Sequence, residues 1–136
     1  MNNAVIERLS TIVGPENLRT EEEDLFLYAY DASFPEHRPD AVVFPSTTEA
    51  VAQIMALASE ECIPVVPRGA GTGLSGGSVP AQGGIALTLT KMDRILSIDT
   101  DNLVAEVETG VINSHLQAAV APQGLFYPPD PASMKV

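Results

Sequence analysis

RGAGTGLSGGSVPAQGG, residues 68–84, carries seven glycines, at positions 69, 71, 73, 76, 77, 83 and 84. Glycine at this density costs conformational entropy on folding. It makes sense where backbone must approach a ligand closely or adopt positive φ. Successive exposed N–H groups in such a loop form an anion-binding nest. Thr72 and Ser75 add hydroxyl donors, and Arg68 adds the segment's only cation. The chemistry that suits this set is a diphosphate.

Three patterns compete for the segment. A P-loop needs Lys where Gly77 stands, so that reading fails. Gly71 to Gly76 matches G-x-G-x-x-G, but a dinucleotide fingerprint requires a helix to open at the loop and hold the pyrophosphate. Gly73 to Gly77 matches G-x-S-x-G, with His115 downstream and Asp99 and Asp101 between, yet the nucleophile elbow needs the same helix. The run Gly77-Ser78-Val79-Pro80, then Gly83-Gly84, predicts none. A flexible surface loop is the bland alternative. Against it, the loop follows a predicted strand stiffened by Pro64 and Pro67 and precedes another.

Upstream, Ala41 to Pro45 is a short apolar run that predicts a strand. Ser46 and Glu49 have the spacing of a capping box. The helix it opens carries Val51, Ile54, Met55, Ala58 and Cys62 on one stripe. Ile63 to Pro67 predicts the next strand. Residues 41–67 thus form a strand–helix–strand unit, expected to give a parallel pair. Further out, Val5, Leu9, Ile12 and Val13 share a face of a helix over 3–13, stopped by Gly14-Pro15. Glu21 to Tyr30 predicts a short second helix with acidic residues at its start. DASFPEHRPD follows as a linker, which Pro35 and Pro39 keep irregular.

Downstream, Ile85, Leu87 and Leu89 alternate and predict a strand with those residues inward. Leu96 and Ile98, the turn cluster Asp99 to Asn102, and the alternation Leu103, Ala105, Val107 predict a hairpin with one wet face. Ile112, Leu116, Ala119 and Val120 define a last helix, capped by Asn113 or Ser114 and ending near Pro122 to Gly124. The tail LFYPPDPASMKV is extended and proline-rich. The fold class is α+β, a strand–helix–strand unit plus antiparallel strands. Residues 1–40 read as a helical arm and linker, ahead of a cofactor-binding portion over 41–136.

Composition bounds the rest. The chain has 136 residues, 45% of them apolar and 5% aromatic with no Trp, so aliphatic side chains must fill the core. Seven Lys plus Arg against 18 Asp plus Glu give a net charge of −11, which repels nucleic acid and anionic lipid. The field suits a solvated acidic surface, with steering to a basic partner as the alternative. One cysteine excludes an internal disulfide and points to a reducing, cytosolic setting. Cys62 reads as a small buried hydrophobe. The N-terminus MNNAVIERLS lacks the pattern of a signal peptide. Neither His37 nor His115 has metal-ligand spacing. No catalytic or metal-binding residue is nominated.

Pro67 to Gly77 resembles the first diphosphate loop of vanillyl-alcohol-oxidase-type (VAO/PCMH-type) FAD domains, closest to glycolate oxidase FAD subunits and D-lactate and D-2-hydroxyglutarate dehydrogenases. The flanks PSTTEAVAQIMALASEECIPVVPRG, Leu103 to Gly110 and Tyr127 to Ser133 resemble the same family, so that residues 41–133 are covered. The resemblance implies the first half of such an FAD-binding domain. It also implies that Arg68, Gly69, Ala70, Gly71, Thr72, Gly73 and Ser75 wrap the FAD diphosphate with backbone amides. Pro129, Asp130 and Ser133 would lie toward the flavin, unless that stretch is only a rigid proline turn. Relatives with covalent flavin often have His where Thr72 stands, so non-covalent FAD is expected.

The family adds a second glycine-rich loop soon after the position of Ser133, and then a substrate-capping domain. The chain is therefore expected to be an N-terminal fragment, inactive alone and prone to self-association. The parent would be a cytoplasmic oxidoreductase, at a membrane only through partners. It would oxidise a small 2-hydroxy acid, glycolate or D-lactate, to the 2-oxo acid and pass electrons to a partner subunit or quinone. The alternative is a stand-alone nucleotide- or protein-binding module without redox activity.

Overall fold

The computed structural model describes residues 1–33 and 36–135. Pro35, read above as a linker breaker, lies outside them. The chain divides into two compact units, Met1–Lys91 and Met92–Val136.

In the first unit, helix α1 (Asn3–Val13) starts where the Asn2 side chain accepts from the Val5 amide and stops at Gly14, φ 85°. Its apolar face buries Val5 and Leu9, as the spacing predicts. A 3-10 turn at Pro15–Asn17 leads to β1 (Leu18–Arg19), a two-residue strand that no pattern announced. The predicted second helix shortens to α2 (Glu22–Phe26) with acidic residues in its first turn. Strand β2 (Ala41–Val43), helix α3 (Thr48–Glu60) and strand β3 (Val65–Arg68) form the expected unit, and β4 (Ile85–Thr88) follows the glycine-rich segment.

The sheet order is β1-β2-β4-β3. Strand β1 pairs antiparallel with β2, and β4 pairs parallel with both β2 and β3. This corrects the expected β2–β3 pair: the two strands are parallel members of one sheet, but β4 lies between them. A central strand is covered on both faces, so its sequence need not alternate. Ile85, Ala86, Leu87 and Thr88 are accordingly all buried, where alternation had placed only Ile85 and Leu87 inside. Leu9, Ile54, Leu57, Ile85 and Leu87 share one core cluster with Ala41 and Val43. Each fully buried Leu or Ile contributes about 1.5–3 kcal/mol of transfer free energy. Ala29, Val79 and Pro80 are buried outside that cluster.

Two further expectations are corrected at α3. Its cap is Thr47, whose Oγ1 accepts from the Ala50 amide at 3.1 Å. That shifts Glu49 to the second helical position, from which it cannot close a capping box. Cys62 is exposed, not buried, and has φ 55°. The helix ends before it, and the Cys62 amide reaches the Ser59 carbonyl (3.4 Å) while that of Ile63 reaches Ala58 (2.8 Å). This is a Schellman stop with cysteine at the left-handed position glycine usually takes. The helical period was extended past the end of the helix.

In the second unit, β5 (Ile95–Asp99) and β6 (Val104–Val107) form the expected antiparallel hairpin. Asp99 Oδ1 accepts from the amides of Asp101 and Asn102 and shapes the turn. Leu103 belongs to that turn rather than to the strand, with φ 57°. Helix α4 (Asn113–Val120) buries Leu116 and Val120 and is closed by left-handed Gly124. Neither Asn113 nor Ser114 caps it: the N-cap is Ile112, without a side-chain bond. Instead the Ser114 amide donates to the Met134 carbonyl at 3.0 Å, so the tail closes the helix start. No helix among the described residues is long and apolar enough to cross a membrane.

Candidate functional site

The glycine-rich segment leaves the carboxyl end of β3 and re-enters the sheet at the start of β4. No helix opens anywhere from Gly69 to Gly84, all of which are described, so neither the dinucleotide fingerprint nor the nucleophile elbow is formed. Among the described residues, no amide from Gly69 to Gly77 donates a hydrogen bond to a protein acceptor. From Val79 the chain turns inward again, with the Val79 amide on the Gly76 carbonyl and that of Gly83 on the Pro80 carbonyl. Backbone N–H groups are obligatory donors. A run of them without internal partners faces water or a ligand.

The glycines sort by cause. At Gly71, φ is +76° and a Cβ would lie 2.1 Å from Arg68 Nη2, so the fold itself requires glycine. At Gly69 and Gly77 φ is ordinary, and a Cβ would meet nothing within 4 Å. Nothing in the chain excludes a side chain there. Close approach of an outside group would. This is what a cradle for an anionic ligand demands, and FAD, through its diphosphate, fits it.

Beside the loop lies a concavity of about 240 Å³ with Tyr28, Phe44, Arg68, Gly69, Ala70 and Thr88 among its walls. It sits at the carboxyl ends of parallel strands, where ligands bind in open α/β sheets. Thr88 is 1% exposed, and its Oγ1 has no hydrogen-bond partner among the described residues. A buried orphan hydroxyl calls for an explanation, and a bound polar group would supply one. Thr88, Tyr28 and Asp31 were all missed in the sequence. For Asp31 a signal existed, since Asp-x-Ser favours a local Asx turn.

The predicted loop residues fall into two kinds. Gly69, Ala70, Thr72, Gly73 and Ser75 are exposed, and Gly71 is half-buried. Arg68 is buried: Nη1 donates to the Tyr30 carbonyl at 2.7 Å, and the guanidinium carbon lies 5.4 Å from the Tyr28 ring centre. One arm of its guanidinium is thus held by the protein. Asp31 is 3% exposed and accepts from the amide and hydroxyl of Ser33 and from Ser78 Oγ. The Ser33 hydroxyl, ahead of the Ser33 amide and Ser78, holds its carboxyl below the ordinary range.

Pro129, Asp130 and Ser133 belong to the second unit. Gln117 Nε2 donates to the carbonyls of Tyr127 (3.2 Å) and Pro129 (3.0 Å), which fixes the tail along α4. Asp130 is exposed and Ser133 half-buried. An apolar groove of about 360 Å³ in the same unit, lined by Ile98, Val104, Leu116, Val120, Phe126 and others, offers no charged group. His37 and His115 are both exposed. No cluster of His, Cys, Asp and Glu among the described residues could hold a metal.

Comparison with known proteins identifies the family. Residues 39–136 match the family described as FAD binding domain. The chain is 45% identical over 134 residues to glycolate oxidase subunit GlcD of Bacillus subtilis, covering 97% of this chain and 28% of that protein. It is 40% identical over 129 residues to D-lactate dehydrogenase of Anaerostipes hadrus, covering 93% and 27%. The chain therefore spans little more than a quarter of these relatives. Among solved structures, p-cresol methylhydroxylase with substrate bound superposes with a TM-score of 0.79 at 28% identity, over 90% of this chain and 25% of that one. With its unpaired amide loop at the ends of parallel strands, this chain belongs to the FAD binding domain family, with FAD as its cofactor.

Proposed function

We propose that this chain supplies the first half of the FAD diphosphate clamp in an oxidoreductase that converts a small 2-hydroxy acid, glycolate or D-lactate, to its 2-oxo acid. The observation that carries the reading is the run of unpaired amides from Gly69 to Gly77. The amides of Gly69 to Gly73 and the amide and hydroxyl of Ser75 hold the diphosphate, entered from Arg68, and Pro129, Asp130 and Ser133 lie toward the flavin. This loop holds FAD without a covalent link, because Thr72 has no imidazole nitrogen to offer. The flavin supplies the redox chemistry when bound, and the protein supplies binding and orientation. Glycolate oxidase and D-lactate dehydrogenase among the relatives support the substrate class.

The 136 residues alone bind FAD weakly and turn over no substrate, since they span little more than a quarter of those relatives. Electrons leave to a partner subunit or quinone, and the protein works in the cytoplasm, at a membrane only through such partners. Flavin fluorescence titration tests the binding step. FAD should bind more tightly than FMN, which lacks the second phosphate and the adenosine. Equal affinity for the two would remove the diphosphate reading. Robust glycolate or D-lactate oxidation by this chain with added FAD would overturn the division of labour.

A further inference from the structure

We propose that Asp31 and the Arg68 side chain are positioning residues, two struts through which the Tyr28–Ser33 segment holds the glycine-rich loop in the shape that receives the diphosphate. The inference rests on the FAD reading above. Its geometry is independent of that reading. Arg68 lies beneath the near arm of the loop. Its guanidinium stacks on Tyr28, donates to the Tyr30 carbonyl, and fills the space a side chain at residue 71 would need. Tyr28 is itself held edge-on by Phe44, ring centres 5.7 Å apart, at the end of β2. Asp31 lies beneath the far arm. Its Oδ2 accepts from Ser78 Oγ at 3.3 Å and would be 3.6 Å from a Cβ on Gly73, while Oδ1 is secured by Ser33. The two struts bracket Thr72 to Ser75, the exposed tip of the unpaired amides.

Neither group suits direct contact with the ligand. A carboxylate facing phosphate would repel it, and both oxygens of Asp31 already have donors in the protein. Arg68 is buried, and its Nη1 is directed at the Tyr30 carbonyl rather than at solvent. A loop this rich in glycine samples many shapes unless something limits it. Ordering it before the ligand arrives lowers the cost of binding.

The test uses the full chain with Asp31→Ala, Asp31→Asn and Ser78→Ala, read two ways. Backbone ¹⁵N relaxation on the ligand-free protein reports the struts. FAD titration by flavin fluorescence reports their consequence. In the wild type, order parameters at Gly71 to Ser75 should lie near the rigid value of about 0.85, and Asp31→Ala should drop them below about 0.6. FAD affinity should fall on the order of tenfold as preorganisation is lost. Asp31→Asn keeps an acceptor for Ser33 and a polar partner for Ser78, so it should restore both readings.

Ser78→Ala removes one contact and leaves the carboxylate in place. It carries the test if Asp31→Ala does not fold, with a smaller drop in order at Gly73 to Ser75 and FAD binding weakened about threefold. Unchanged order parameters in the variants would overturn the struts. A mobile loop with unchanged FAD affinity would overturn the positioning role. Wild-type protein that binds FAD no better than FMN would instead remove the underlying reading, and the relaxation data would still judge the struts.

Discussion

Gly84 is the position where a single methyl group should do the most damage to the fold. It has φ +78°, and a Cβ there would lie 2.1 Å from the Pro64 carbonyl oxygen and 2.9 Å from its carbon. That oxygen is not free to move, since it accepts from the Ile85 amide at 2.8 Å and so seats β4 beside β3. For Gly84→Ala, the left-handed conformation costs about 1–2 kcal/mol. Pushing the carbonyl aside forfeits the Ile85 hydrogen bond, about 1 kcal/mol more. Reduced freedom of the unfolded chain returns roughly 0.4–1 kcal/mol. The net is about 2 kcal/mol, or roughly 8–16 °C in Tm for a unit of this size. Circular-dichroism melts of wild type, Gly84→Ala and Gly77→Ala measure it. Gly77, with ordinary φ and no neighbour within 4 Å, should melt at or slightly above wild type. A Gly84→Ala melt within about 3 °C of wild type would refute the argument that this glycine sets the strand junction.

Three other outcomes follow from the same structure. Cys62→Gly should raise stability by roughly 1 kcal/mol, because it relieves a left-handed non-glycine residue at the end of α3; a lower Tm would show that the cysteine makes contacts that offset its strain. Thr88→Val should leave the ligand-free protein as stable or slightly more so, since it removes a buried hydroxyl without a partner, and should weaken FAD binding; a destabilised ligand-free variant would mean that the hydroxyl is already satisfied. The third concerns pH. Asp31 is held below the usual carboxylate range by Ser33 and Ser78, so its contribution is complete above about pH 3.9 and is lost as pH falls through the lower folded value. Asp99 and Glu108 are shifted the same way by Asn102 and Arg94. Melting temperature should therefore drop as the solution is acidified below about pH 4, and Asp31→Asn should flatten part of that drop. Identical slopes in the two proteins would contradict the assignment.

What could be read in the sequence was whatever depends on near neighbours in the chain. The face of α1, the strand–helix–strand order, the hairpin turn at Asp99 and the unbroken glycine loop all follow from spacings of a few residues. The cap of α3 was legible only to within a residue, because Ser46, Thr47 and Thr48 all offer a hydroxyl and only the backbone decides among them. The placement of β4 was not legible at all. A strand buried on both faces fits beside either neighbour, and nothing local says that it goes between them. The struts beneath the loop were hidden for the same reason. Arg68 meets Tyr30 across 38 positions and Ser78 meets Asp31 across 47, so both contacts exist only once the sheet has closed.

The sheet order β1-β2-β4-β3 has a consequence for how the chain must be made. During synthesis from the N-terminus, β2 and β3 exist before the strand that joins them. Until residues 85–88 arrive, each presents a row of unsatisfied amides and carbonyls across an empty slot, and the apolar faces of α1 and α3 have no centre to pack on. Such open edges invite pairing with other chains. The last strand of this unit to be translated is thus its keystone, and a pause on the ribosome just before it would leave a nascent chain at its most vulnerable to aggregation.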